Sequence, residues 1–534
     1  MEIPPADDLD LQTKVGQMFM IGFNGEQGEW ALEPTQTLRE LLVERKVGNV
    51  LYFAWNVKSR EQTTALSSDL QNIAMEEGSG VPLFIMTDQE GGISNRLGWK
   101  SVPPSQMALG AAEDPKLARQ TGTAVAEELQ SVGINFNLTP VLDVNSDPQN
   151  PVISTRSFSD DPTRVAQMGT AIVEGMRAAG MPASAKHFPG HGDVGEDTHH
   201  SIPVVEHDRD RLDAVELAPF AKLVEHGIDT IMLAHIGFPA LTGDRETPAT
   251  LSKQVQTDLL RDELGFDGVI ITDCLDMDAI SENFDIGEAA VQAIEAGSDL
   301  ITVSHNPESQ TKALDAVLDA VESGRISEQR INKSVERILD CKRRSTLAVE
   351  QSTSDEQAAT EEAAIETAKD VAAAGLTPVC DRDGTLPFDT TEPVELVVFD
   401  AERPSLAEDS MYNPKFVSEW LSDPLPITAT QVNDESTIPD FDSGTQVLIA
   451  VYNAVDNEHQ SRVVDRLDRP DLDTAVFALR NPYDLAEFPD VSTCVVSYDY
   501  TPATLCVASA YLAGERDVSG HLPVDIPVFD ATTN

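Results

Sequence analysis

The chain has 534 residues, 41% of them hydrophobic, which is enough for two or three domains with cores of their own. It carries 91 acidic and 37 basic residues, a formal net charge of −54. This charge argues against nucleic acid or an anionic membrane as a partner. The acidic residues are spread through both halves of the chain. We therefore expect a surface adapted to molar salt, where the Debye length is only about 3 Å, rather than a simple gain in solubility.

The cysteines and the N-terminal residues indicate a compartment. Five widely spaced cysteines form no Cys-x-x-Cys pair: Cys274, Cys341, Cys380, Cys494 and Cys506. An odd number without such a pair is typical of reduced thiols in a cytosolic protein. The first residues, Met-Glu-Ile-Pro-Pro-Ala-Asp-Asp, lack the basic and apolar regions of a signal peptide. No run approaches the roughly eighteen apolar residues of a membrane span. We expect a cytoplasmic protein.

Short apolar runs alternate with longer amphipathic stretches over the first 346 residues. The runs predict eight buried parallel strands, over 17–23, 48–53, 82–87, 135–139, 182–185, 230–234, 268–272 and 299–304. Intervening helices are predicted over 61–75, 115–131, 162–179 and 208–226. Eight strand–helix units predict an α/β fold, a (β/α)8 TIM-like barrel over residues 1–346. A doubly wound sheet is the alternative, because strand order cannot be read from sequence.

The composition changes after the predicted barrel. Residues 347–362 are rich in Gln, Ser, Thr, Asp, Glu and Ala, which predicts a linker that runs into a helix. Fewer apolar runs follow, at 394–399, 446–451, 474–479 and 494–498, with helical stretches between them. We predict a smaller α/β sandwich domain over residues 363–534.

Polar side chains follow six of the predicted barrel strands. They are Asp88 with Gln89 and Glu90, Asp143, Lys186 with His187, His235, Asp273 and His305. Active sites of (β/α)8 barrels lie at the carboxyl ends of the strands. The sequence therefore predicts that these side chains converge on one rim.

The segment Lys186–His200 holds four of the chain's ten histidines. Its glycines and Pro189 argue against a regular helix or strand and predict a shaped loop that meets a ligand. In an extended loop Asp197 and His199 point the same way, so Asp197 can hold one ring nitrogen and leave the other for proton transfer. A loop ion pair without chemistry is the alternative for Asp197 and His199 alone.

Other charged residues predict nucleophilic and sugar-binding roles. Asp273 ends a buried apolar run, where a carboxylate has either chemistry to perform or a strong cationic partner. Asp88, Arg96 and Arg156 with Lys186 are suited to the vicinal hydroxyls of a sugar through charge-assisted hydrogen bonds. Surface salt bridging is the alternative explanation for each of these residues taken singly.

A zinc site is a competing interpretation of the histidine-rich segment. The potential ligands are His187, His191, Asp193, Asp197, His199 and His200. Their spacing matches neither His-Glu-x-x-His nor other common zinc patterns, and Lys186 would bring positive charge toward the cation. We expect neither a metal nor another cofactor.

These motifs together resemble glycoside hydrolase family 3, in particular its β-N-acetylglucosaminidase branch. The resemblance covers nearly all of the first 345 residues, and less specifically the tail ending Ser-Gly-His-Leu-Pro-Val at Val524. It rests on the segments at 88–92, 133–144, 150–158, 186–192, 197–199, 234–235, 248–252 and 269–273. Lys-His-Phe-Pro-Gly-His-Gly followed by Asp197-Thr-His199 is specific to that branch.

The resemblance implies a retaining double displacement. Asp273 would attack the anomeric carbon, and His199, oriented by Asp197, would act as acid and then base. Substrate binding would fall to Asp88, Arg96, Arg156, Lys186 and His187. His191 would be a structural member of the loop.

Three positions depart from the family pattern, and none removes a catalytic group. Ile93 stands where relatives commonly carry arginine, Thr198 replaces a serine, and Cys274 follows the nucleophile where Asp or Ser is more usual. We therefore predict a salt-requiring exo-β-N-acetylglucosaminidase acting on small carbohydrate substrates. The alternatives are a β-N-acetylglucosaminide phosphorylase, a β-glucosidase of the same family, and a catalytically silent sugar-binding protein.

Overall fold

Two sheets organise the protein. The computed structural model describes residues 3–25, 28–194, 202–347, 353–400, 413–433 and 437–526. One sheet has eight strands and the other has six. Within the described ranges, no helix combines the length and apolarity that crossing a membrane requires.

The first sheet is a nearly closed parallel barrel. Its strands are β1 Phe19–Gly22, β2 Asn49–Tyr52, β3 Phe84–Thr87, β4 Phe136–Asn137, β5 Ser184–Phe188, β6 Thr230–Leu233, β7 Val269–Cys274 and β8 Leu300–Val303. They lie in the order β4-β3-β2-β1-β8-β7-β6-β5. Single parallel bridges from Asn137 to Ala183 and from Val141 to Lys186 connect β4 to β5. The predicted α/β class and barrel are confirmed.

Helices surround the barrel. They are α1 Leu11–Gln17, α2 Gln36–Val43, α3 Arg60–Asn72, α4 Gln106–Ala112, α5 Pro115–Gln130, α6 Pro162–Ala178, α7 Arg209–Ala214, α8 Ala218–Glu225, α9 Pro239–Thr242, α10 Asp278–Ser281, α11 Ile286–Ala296, α12 Pro307–Glu322 and α13 Glu328–Arg344. Helices α5, α6 and α12 begin with proline after Asp114, Asp161 and Asn306, whose side chains accept hydrogen bonds from the first-turn amides. This pairing satisfies free amides and presets the first backbone angle.

Several element boundaries differ from those predicted. Strand β5 continues to Phe188 instead of ending at Ala185, and β7 continues to Cys274. Lys186 and Asp273 therefore lie within strands and not after them. The helix predicted over 208–226 is two helices, α7 and α8, separated at residues 215–217. Pro219 in the first turn of α8 explains the break, because proline cannot continue a helix from the preceding turn.

The second sheet forms the core of the C-terminal domain. Its strands are β9 Thr377–Asp381, β10 Val394–Phe399, β11 Ile427–Val432, β12 Gln446–Val451, β13 Asp473–Ala478 and β14 Thr493–Val496, in the order β11-β10-β12-β13-β14-β9. All pairs are parallel except β14 with β9. The associated helices are α14 Ser354–Gly375, α15 Pro414–Leu421, α16 Glu458–Leu467 and α17 Pro502–Leu512. Separate apolar clusters include residues from the sheet's alternating sides, as a sandwich requires.

The barrel and the second sheet share an apolar junction. Helix α14 starts inside the segment 347–362 that was predicted as a linker. Met107, Ala108 and Ala111 of α4 are buried in the second domain's apolar cluster. A Cβ atom at Gly375 would overlap the carbonyl oxygen of Ala108, so the two helices approach closely there. The junction is thus built from the barrel's own helix.

Candidate active site

Asp273 lies in β7 near its carboxyl end, beside His235. Burial opposes ionisation of this carboxyl group, but His235, His187, the amide of Cys274 and Lys186 together hold its pKa below the usual value. The Cys274 amide donates a hydrogen bond of 2.7 Å to Asp273 Oδ1. Asp273 is therefore an ionised, half-buried carboxylate at the rim, which is the state that a nucleophile needs.

His235 is a buried ring that follows β6. Its Nε2 lies 2.9 Å from the carbonyl oxygen of Cys274 and its Nδ1 lies 2.7 Å from Thr250 Oγ1. Because a carbonyl only accepts, Nε2 carries the proton. Burial lowers the pKa of His235. This histidine consequently fixes the backbone next to Asp273.

Four buried or nearly buried charges form a network beside these residues, which we call the rim ion network: Asp88, Glu90, Arg156 and Lys186. Lys186 Nζ lies 2.6 Å from Asp88 Oδ1 and 2.7 Å from Glu90 Oε1. Arg156 donates from Nε and Nη2 to the two oxygens of Glu90, at 2.7 and 2.8 Å. Glu90, Arg156 and Lys186 are at most 6% exposed, so these are not surface salt bridges.

The network sets the charge of its members. Burial disfavours the Glu90 carboxylate, yet Arg156 and Lys186 hold its pKa well below the usual range. Burial likewise opposes the Lys186 ammonium, but Asp88 and Glu90 raise its pKa. Arg156 also donates from Nη1 to the carbonyl of Val152, so all three guanidinium nitrogens have a partner. Asp88 is the member with some exposure, 15%, and it faces the rim.

Asp143 organises the start of the histidine-rich segment. This fully buried carboxylate lies 2.7 Å from His187 Nδ1 and accepts 2.7 Å from the amide of His191. Because the carboxylate accepts, His187 Nδ1 donates and its Nε2 is the nitrogen left for another partner. Burial opposes ionisation, but His187 and His191 hold the Asp143 pKa below its usual value. A Cβ atom at Gly192 would overlap the carbonyl oxygen of Val144, so the loop lies directly on the segment after β4.

Two further contacts fix this region. Burial lowers the pKa of His191 to about 4, and its carbonyl accepts from Asn150 Nδ2 at 2.8 Å. Asn145 Nδ2 donates 3.0 Å to the hydroxyl of Tyr483 from the second domain. The C-terminal domain therefore supports the segment on which the histidine loop lies.

Arg96 lies on the other side of the rim. Its guanidinium carbon is 6.0 Å from the Phe53 ring centre. Burial of His305 and the positive charge of Arg96 lower the pKa of His305, although Asp276 opposes this. Phe53 stacks on Trp55 with ring centres 4.6 Å apart. A cavity of about 520 Å³ opens beside His305, between the ends of β1 and β8. The rim therefore has a charged half at β3–β7 and an aromatic half at β8, β1 and β2.

Among the described residues, one group of potential metal ligands includes Asp193 of the histidine-rich segment. Side-chain ligand atoms of Asp193, His207 and Glu216 approach within 4.8 Å of one another. Arg211 Nη2 lies 3.2 Å from Glu216 and 3.7 Å from Asp193. The arginine thus supplies positive charge where a cation would lie.

Asp197 and His199, the predicted acid–base pair, lie outside the described residues, as do Thr198 and His200. The structure brings together Asp273, Lys186, His187, Asp88 and Arg156. Buried ion pairs join Lys186 to Asp88 and, through Glu90, to Arg156, whereas Asp143 holds His187. Of the departures from the family pattern, Ile93 is buried in an apolar cluster of the second domain, and Cys274 Sγ lies 2.7 Å from Ser304 Oγ.

Sequence analysis placed two carboxylates, Glu90 and Asp143, at the rim but assigned neither of them a role. Glu90 joins Arg156 and Lys186, and Asp143 holds His187 and His191. The only signal for Glu90 was its position two residues after Asp88, on the same side of an extended segment. Their partners are 44 or more residues away in sequence, which no local pattern reveals.

A (β/α)8 barrel with charged side chains converging at the carboxyl ends of its strands defines an enzyme of the barrel class. Comparison with known proteins identifies the family. Residues 10–341 match the glycosyl hydrolase family 3 N terminal domain. β-Hexosaminidase A of Pseudoalteromonas piscicida is 32% identical, covering 97% of both chains.

A solved relative has the same two-domain layout. The family 3 β-N-acetylglucosaminidase of Paenibacillus sp. str. FPU-7 is 40% identical with a TM-score of 0.86, over 97% of this chain and 99% of that chain. The β-N-acetylglucosaminidase/β-glucosidase of Cellulomonas fimi is 27% identical, covering 86% of this chain and 87% of its own. The chain belongs to glycosyl hydrolase family 3 and is a glycoside hydrolase.

Proposed function

We propose that the protein is a retaining exo-β-N-acetylglucosaminidase that releases terminal β-linked N-acetylglucosamine. The observation that carries the proposal is Asp273, a carboxylate kept ionised at the end of β7 by His235, His187 and Lys186. The named activities of the Pseudoalteromonas and Paenibacillus relatives support the substrate class. The network around Lys186 and the aromatic half of the rim supply polar and apolar contacts for a small sugar.

In the proposed mechanism Asp273 attacks the anomeric carbon and forms a covalent glycosyl-enzyme. His199, oriented by Asp197, protonates the leaving oxygen and then removes a proton from the attacking water. Asp88, Lys186 and His187 bind the sugar hydroxyls. Arg156 acts through Glu90 on Lys186, since its nitrogens are engaged. Arg96 binds from the aromatic side. No metal or other cofactor takes part in this proposal.

The first test is release of p-nitrophenol from its β-N-acetylglucosaminide in multi-molar KCl, with and without phosphate. We expect turnover without phosphate and a β-configured first product by NMR. Asp273→Asn should lower kcat by about 10⁴-fold or more, because it removes the nucleophile. Asp278→Asn, five residues later and exposed, is the matched control and should keep wild-type activity.

The acid–base role of His199 has its own readout. His199→Ala should lose more activity on a disaccharide than on the p-nitrophenyl substrate, because p-nitrophenolate leaves with little help from an acid. Equal losses on both substrates would contradict the acid role. Turnover that requires phosphate would show that the protein is a phosphorylase and not a hydrolase. An α-configured first product would exclude a retaining mechanism.

We also propose that the acidic surface makes the protein salt-requiring. A net charge of −54 repels itself at low ionic strength, and salt screens this repulsion. The thermal midpoint should rise steadily as KCl increases from about 0.1 M to about 3 M, where exposed charges are almost fully screened. A midpoint that stays constant over this range would contradict salt adaptation.

A further inference from the structure

Two of the five free cysteines lie opposite each other on neighbouring strands of the second sheet. Cys494 of β14 pairs with Cys380 of β9 in an antiparallel register. Their sulfur atoms lie 3.2 Å apart. Cys380 is 6% exposed and Cys494 is fully buried. The two thiols are therefore in direct contact on neighbouring strands.

The backbone geometry suits a covalent link. Directly opposite residues of antiparallel strands have Cα atoms about 4.5–5.5 Å apart, within the roughly 4.4–6.8 Å range of disulfides. A bond needs the sulfurs about 1 Å closer than the 3.2 Å that separates them. Cys274, by contrast, contacts Ser304 and is not paired with another thiol.

Cys380 is the less buried member of the pair, at 6% exposure against none for Cys494. Strand β9 is at the edge of the six-stranded sheet, next to β14. The hydrogen bond from Cys494 lowers the pKa of the Cys380 thiol, although burial opposes this, and Arg382 adds positive charge nearby. Since the thiolate is the nucleophile in exchange reactions, Cys380 is the thiol that attacks first.

We propose that Cys380 and Cys494 are a reversible disulfide site that ties the edge strand β9 to β14. The oxidant is a small-molecule disulfide. The Cys380 thiolate attacks one of its sulfurs, forms a mixed disulfide and releases one small thiolate. The Cys494 thiolate then attacks Cys380 Sγ and releases the second. Two protein thiols become one disulfide, and one small disulfide becomes two small thiols.

The link has a structural consequence at the domain junction. Strand β9 begins two residues after α14, the helix that packs against both domains, and Tyr498 beyond β14 donates a hydrogen bond to Thr377 of β9. Joining residues 380 and 494 closes a long loop in the unfolded chain. Oxidation should therefore raise the thermal midpoint of the second domain by about 5–15 °C.

The test uses the full-length protein equilibrated with oxidised glutathione or with dithiothreitol. Thiol titration after denaturation should find five free thiols in the reduced protein and three in the oxidised protein, since two of the five are consumed. Peptide mapping should recover Cys380 linked to Cys494. The higher thermal midpoint should disappear on reduction.

Cys380→Ser is the test variant, and Cys506→Ser, at a half-exposed cysteine outside the pair, is the matched control. Cys380→Ser should lose both the link and the shift, whereas Cys506→Ser should keep both. Five free thiols at every glutathione ratio would overturn the proposal, and so would adducts found only at Cys506. Mapping of the wild-type protein decides the question even if Cys380→Ser does not fold.

Discussion

Two fully buried lysines lie at opposite ends of the same barrel. Lys186 is 2% exposed, belongs to the rim, and contacts the carboxylates of Asp88 and Glu90. Lys342 of α13 is not exposed at all and lies at the amino-terminal end of the barrel. Its Nζ donates to Gln17 Oε1 and to the carbonyls of Gly48 and Pro82, at 2.8–2.9 Å. These acceptors precede β1, β2 and β3.

The difference between the two sites is the charge of the partners. Carboxylates raise the pKa of Lys186 against the effect of burial, whereas burial lowers the pKa of Lys342 to about 7. Lys186 therefore keeps a charge beside Asp273. Lys342 donates hydrogen bonds to neutral oxygens that would otherwise have no donor between the starts of three strands. Burial alone does not distinguish the two lysines, but the charge of their partners does.

Of the two lysines, Lys186 should have the larger effect on activity when it is replaced. Lys186→Met removes a positive charge that favours the ionised form of Asp273 and, in the proposed function, a donor to the sugar, so kcat/KM should fall by about 10²–10³-fold. The acid limb of the kcat/KM profile should also move to higher pH, because the pKa of Asp273 rises. Lys342→Met should leave both measurements near wild type. An acid limb that does not move in Lys186→Met would show that the charge of Lys186 does not affect the pKa of Asp273.

Replacement of Lys342 should act on stability and not on activity. Lys342→Met leaves three buried oxygens without their donor, which should lower the free energy of unfolding by about 3 kcal/mol. Lys333→Met, at an exposed position of the same helix, is the control and should change little. Urea denaturation followed by fluorescence measures both variants. Equal stability of the two variants would mean that water replaces the lysine at the barrel end.

The sequence predicted the barrel well because buried parallel strands are continuous apolar runs. All eight runs overlap an observed strand, although the run at 182–185 covers only the first two residues of β5, and β7 extends to Cys274. Two strands of the second sheet were missed, β9 and β11, and both are edge strands. β9 contains Pro378, and β11 exposes Thr428, Ala429 and Gln431, so neither forms a run of buried apolar residues.

The candidate site was predictable only as far as strand ends could be recognised. Asp88, Lys186, His187 and Asp273 were identified because each follows or ends an apolar run. The connections of Glu90 and Asp143 were not, because they join residues 66 and 44 positions apart. Lys342 was missed for the same reason, since its partners lie 260–325 residues away. The folded chain creates these contacts, and local spacing carries no trace of them.

The pH dependence of stability should differ between the two lysines, and it is the smallest of the expected effects. The raised pKa of Lys186 means that its contribution is fully present below the ordinary value of 10.5 and is lost only above it. The pKa of Lys342 is shifted in the opposite direction, so its effect on stability has the opposite pH dependence. Its pKa of about 7 means that the unfolded chain binds more protons between about 7 and 10.5, so stability rises with pH in that window. The stability difference between wild type and Lys342→Met should therefore grow by about 2 kcal/mol from pH 7 to pH 9, while that for Lys186→Met stays constant. If both differences stay constant, the three oxygens hold Lys342 as an ammonium ion, and the two lysines differ in partners but not in charge.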